Sequence, residues 1–68
     1  MMLELEDRYG RSVWVAPLHI IAIYQSDSTA EDGSPVSVLR TAGDLQIVAK
    51  GKAEDVARLF KHMDRSVH

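Results

Sequence analysis

The spacing of apolar residues changes once along this chain, and that change constrains the fold more than any other feature. Up to Ala49 they recur at alternate positions, as in Leu3-Glu4-Leu5-Glu6; from Ala53 onward they recur every three or four residues. Alternation puts one set of side chains on one face of a strand, whereas the longer interval builds a stripe along a helix. The switch falls at Gly51. It divides the chain into strands over about residues 2–49 and a helix over about 52–63. The expected fold is α+β: about five short antiparallel strands in a twisted sheet or small open barrel, with one C-terminal helix, all in a single domain over 1–68.

Turn chemistry divides the strand region. Arg8-Tyr9-Gly10-Arg11 separates Leu3–Glu6 from the β-branched and aromatic Val13-Trp14-Val15, which predicts an antiparallel hairpin. Pro17 ends the second strand because it cannot donate to a central ladder. Leu18 to Gln25, rich in Ile, reads as a third strand buried on both faces. Ser26 to Pro35 consists almost wholly of loop-forming residues. Val36–Thr41 and Leu45–Ala49 then form a second hairpin across Ala42-Gly43-Asp44. In the last segment Ala53, Val56, Ala57, Phe60 and Met63, with Leu59 beside them, make the helical stripe. Gly51 is its expected N-cap, and Glu54 and Asp55 occupy the first turn, where the helix dipole favours acid.

Length and composition exclude whole classes of function. Sixty-eight residues hold one small core and no more, which rules out a dinucleotide-binding domain or a barrel enzyme. The absence of Cys removes disulfides, thiolate zinc sites and thiol nucleophiles. His19, His62 and His68 include no pair at the helical i, i+4 spacing of metal ligands. The acids from Asp27 to Gly33 fail a calcium-loop pattern: with Gly33 at the invariant glycine, Ser28 and Ala30 fall at ligand positions and Leu39 where a bidentate Glu belongs. Ser26, Ser28, Ser34 and Ser37 lie in no nucleophile motif, and the four isolated glycines read as turn residues. No catalytic, metal-binding or cofactor-binding residue is expected, and no enzyme. The acidic start Glu4-Leu5-Glu6-Asp7 and an apolar run broken by His19 predict neither a leader nor a membrane span, so the expected location is cytoplasmic.

What remains is a question of partners. The formal net charge of -2 hides a gradient, with acids in excess before Lys50 and cations in excess after Ala49. Lys50, Lys52, Arg58, Lys61 and Arg65 form a basic set that could meet nucleic-acid phosphates, although Asp55 and Asp64 stand at pairing distance from Arg58 and Lys61. Apolar residues also exceed what one helix can cover. Leu3, Leu5, Val13, Val15, Leu45 and Ile47 suit the helix side; Trp14, Ile21, Ile23, Leu39 and Val48 fall on the opposite set of faces. That surplus predicts a protein-interaction surface and a homo-oligomer, a dimer above all. An adaptor to a larger protein assembly is the related reading, and a nucleic-acid-binding regulator is the alternative.

A strand, Gly10, a second strand, Pro17-Leu18-His19-Ile20 leading into an Ile-rich strand, the Gly43 hairpin and the helix start Ala53-Glu54-Asp55-Val56 follow one another over residues 3–60. In that order they resemble the small FlbD/SwrD-type bacterial flagellar-motility proteins and similar short proteins of phage and mobile elements. The loop Ser26–Pro35 is longer than in that pattern, and the tail after Met63 is additional. The resemblance implies a non-enzymatic accessory protein that acts through protein contacts, with no site residues to carry over.

Overall fold

The computed structural model describes the backbone of residues 2–66 and the side chains of residues 2–62. Among these the chain forms β1 (Leu3–Glu6), β2 (Ser12–Val15), a 3₁₀ turn (Pro17–His19), β3 (Ile20–Thr29), β4 (Pro35–Thr41), β5 (Gln46–Lys50) and α1 (Ala53–Ser66). The fold is α+β. β1 and β2 pair as one antiparallel sheet, and β3, β4 and β5 as a second, in that order. A single antiparallel bridge, Asp7 to Ala49, ties the end of β1 to β5. The sheets stay open: β2 and β3 are the outer strands, and no closed barrel forms.

All three hairpins use one turn design. In Asp7–Arg11, Ala30–Ser34 and Thr41–Leu45 the first residue's amide bonds to the fifth residue's carbonyl, and the fourth residue's amide to the first residue's carbonyl, at 2.8–3.1 Å. This closure needs a left-handed fourth residue, which glycine supplies without a Cβ clash. Gly10 and Gly33 fill that place at φ 84° and 85°. In the third turn glycine comes one residue early, so Asp44 takes φ 67° instead. Exchanging the two, Gly43→Asp with Asp44→Gly, is expected to raise stability by up to about 1 kcal/mol, since a left-handed L-residue costs roughly 1–2 kcal/mol and Asp somewhat less. The gain is offset in part by losing the exposed Arg40–Asp44 ion pair at 2.9 Å. Urea midpoints of the two chains measure the difference.

The second turn shortens the expected loop. β3 runs on to Thr29, which pairs with Pro35, so only five residues connect the strands. Ala30 is buried, and the neighbouring Glu31 amide donates to the Arg8 carbonyl (3.1 Å), docking this turn on the first hairpin.

The core gathers Leu5, Val15, Leu39, Ala49 and Val56, with Leu3, Val13, Ile20, Ile23, Ile47 and Phe60 half-buried around them. Two expected phases are corrected here. Leu39 lies opposite both Ile23 and Ile47, so all three share the core face, and Leu39 is completely buried. Ile23 and Leu39 therefore leave the second face. Leu39 is placed by its regular pairing with Ile47, and for Ile23 the cause lies in β3, where the register shifts between Ile20 and Ala22. The extra residue Ile21 bulges, and Ile20 and Ile23 both turn inward although three residues apart. Leu45, expected on the helix side, instead ends its turn and is 69% exposed. Leu18, expected inside a doubly buried strand, sits in the 3₁₀ turn at 93% exposure. β3 itself is half-buried or exposed along its whole length.

The helix starts at Ala53, two residues beyond the expected cap. The Lys52 carbonyl accepts from Val56 (3.1 Å), and the Lys52 side chain cannot serve the free amides of the first turn. Gln25 serves one of them from β3: its Oε1 accepts from the Ala53 amide (2.9 Å), while its Nε2 donates to the Val36 carbonyl (3.2 Å). A single amide side chain thus ties the helix start to the sheet.

Candidate functional site

The apolar residues left outside the core define the candidate surface. Trp14 lies opposite Glu4, while its neighbours Val13 and Val15 face the core, so its ring points outward and stays 58% exposed. Ile21 stands at the bulge of β3, 64% exposed. Val48 opposes Val38, which opposes Tyr24, and this row, half-buried at Val38 and Val48 and half-exposed at Tyr24, lies on the face of β3-β4-β5 away from the helix. Of the expected interface set, Trp14, Ile21 and Val48 are therefore placed outward, and Ile23 and Leu39 inward. Tyr24 and Val38 belong to the outward face and were missing from that set. Their parity with Ala22 and Val48 was visible in the sequence, but the cross-strand registers that align them were not.

At one end of the molecule the His19 carbonyl accepts from the Ala42 amide at 2.8 Å. This bond draws the 3₁₀ turn up to the last hairpin, so the exposed Leu18 and Leu45 sit on adjoining connections.

The expected basic set is divided between the sheet and the helix. Lys50 lies opposite Val36 on the sheet face away from the helix, and its ammonium pairs with Asp32 at 2.8 Å and Glu6 at 3.4 Å. Arg58 pairs with Asp55 on the helix at 3.3 Å, the pairing expected from their spacing. Lys52 and Lys61 are exposed, and the side chain of Arg65 lies outside the described residues. Two of the cations are thus already matched by carboxylates, and Lys50 faces away from the helix that carries Arg58, Lys61 and Arg65. Among the described residues no three acidic or His side chains gather as a metal site needs, and no helix is long and apolar enough to cross a membrane.

The Glu6–Lys50–Asp32 knot joins β1, β5 and the β3–β4 turn, residues too far apart for any local motif to announce them. The Lys50 ammonium, with the Ser34 hydroxyl and amide, holds the Asp32 carboxyl well below the usual carboxylate range; Asp32 raises Lys50 in return. A depressed carboxyl stabilises the fold above its unfolded pKa, about 3.9, and loses that contribution as pH falls towards the folded value. Asp32→Asn should therefore lower Tm at neutral pH, with the gap to the parent chain closing below about pH 4. Thermal melts at stepped pH read this. Because the Asp32 carboxylate is about half exposed, the gap should also shrink with added salt.

No family model, curated protein or solved structure matches this chain.

Proposed function

We propose that the chain is a non-enzymatic, cytoplasmic protein-interaction module that works by associating with itself, most simply as a dimer. The observation that carries this reading is the outward apolar set, Trp14 above all, on a domain whose α1 is committed to the opposite side of the three-stranded sheet. Contiguous exposed apolar patches beyond a few hundred Å² are rare on monomers. A core this small supplies only about 3–5 kcal/mol. Each large apolar side chain buried between copies adds about 1.5–3 kcal/mol, so two or three would rival the fold itself. The likeness to small motility-associated proteins implies the same class of role. The matched charges on Lys50 and Arg58 favour it over phosphate binding.

Light scattering tests the reading. The parent chain should have the mass of a dimer, and Trp14→Ala, which removes an exposed ring and leaves the core intact, should raise the dissociation constant about thirtyfold, as expected of an interface hot spot worth about 2 kcal/mol. A parent chain that stays monomeric at about 1 mM, where even weak pairs associate, overturns it.

A further inference from the structure

We infer that the two copies meet along the open edge of β3, each strand adding antiparallel to the other about a twofold axis at Ile23. This rests on the self-association just proposed and names the contact. β3 pairs with β4 on one side, and among the described residues no strand covers the other. An uncovered edge offers unpaired amides and carbonyls to another chain, and proteins usually guard it with charge or proline. β3 has neither from Ile20 to Ser26. Its irregularities at Ile21 and after Gln25 act instead as limits, leaving Ala22–Gln25 as the segment able to pair.

A second copy fits this segment for reasons of shape and charge. In an antiparallel pair, residues directly opposite share a face. A twofold at Ile23 therefore sets the small Ala22 of one copy beside Tyr24 of the other, twice. The row Tyr24, Val38, Val48 of each copy then abuts the other copy's Ala22, whose own row runs on to Arg40 and Gln46, in one six-stranded sheet. Ala22–Gln25 carries no charged residue, so two copies meet along it without repulsion between like charges. β3 also begins one 3₁₀ turn after the strand that carries Trp14.

The test combines a variant with a measurement on the parent chain. Tyr24→Lys places a charge on the edge at a half-exposed position outside the core, and it should weaken the dimer at least tenfold by light scattering while circular dichroism stays unchanged. Hydrogen exchange on the parent chain should show amides between Ala22 and Gln25 slowing as concentration rises; this arm decides the matter even if the variant does not fold. A parent dimer whose β3 amides exchange independently of concentration overturns the edge contact and leaves self-association standing. A monomeric parent chain overturns both.

Discussion

Leu39→Ala should leave the chain largely unfolded at 25 °C. Leu39 is completely buried, and its place in the middle of β4 sets it between Ile23 and Ile47 in the core that Val56 of the helix completes. Truncating a buried Leu to Ala costs about 2–5 kcal/mol, from lost transfer energy plus the cavity left behind. A domain of this size has only about 3–5 kcal/mol of net stability to lose. Backbone pairing holds β4 on both sides, so the strand cannot collapse into the gap, which places the cost in the upper half of that range. Circular dichroism should show loss of the cooperative melt, and dilute urea should complete the unfolding. Leu45→Ala is the matched control: the same change at a residue 69% exposed should move the midpoint little. Were the two leucines placed as simple alternation suggested, Leu45 in the core and Leu39 outside, these outcomes would be reversed.

That reversal shows where sequence reasoning reached its limit. The change of period at Gly51 located the helix, and Gly10 with its flanking alternation located the first hairpin, because both signals are local. Which face each strand buries depends on register, and a register is set between strands. Leu39 and Ile47 were assigned to different faces when their cross-strand pairing puts them on one. In β3 the bulge at Ile21 added half a period, so parity counted from Ile21 gave the wrong face for Ile23. The loop from Ser26 had the composition of a loop, but Thr29 still pairs with Pro35, and the buried Ala30 anchors the turn. Composition carries no record of either contact. Trp14 faces outward as alternation alone implies, because its strand is short and unbulged, with both neighbours apolar. Helical spacing puts Arg58, Lys61 and Arg65 on one stripe with Lys50 and Lys52 near its start, but the two carboxylates that engage Lys50 come from residues 18 and 44 positions away.

Gly51→Ala should destabilise the fold by about 1–3 kcal/mol, the usual cost of holding a side-chain-bearing residue in a sparsely populated backbone region. Gly51 is the hinge between β5 and α1, and its φ of 115° lies further from the ordinary left-handed well than those of the turn glycines. The chain cannot relax this angle cheaply. The Gly51 amide donates to the Pro35 carbonyl at 2.8 Å, closing the sheet against the hinge, and five residues later Val56 must reach the core. A Cβ at position 51 would meet Val56 Cγ2 at 3.5 Å, an ordinary contact, so crowding is not the cause and the penalty is conformational. This distinguishes two substitutions. Gly51→Ala and Gly51→Asn occupy similar space near the backbone, but Asn tolerates positive φ better, so Asn should recover part of the loss. A steric cause would make the larger Asn the worse of the two. Equilibrium urea unfolding of the three chains separates these cases, and the loss should appear as a lower midpoint at unchanged slope, because the native fold and the surface it buries stay the same.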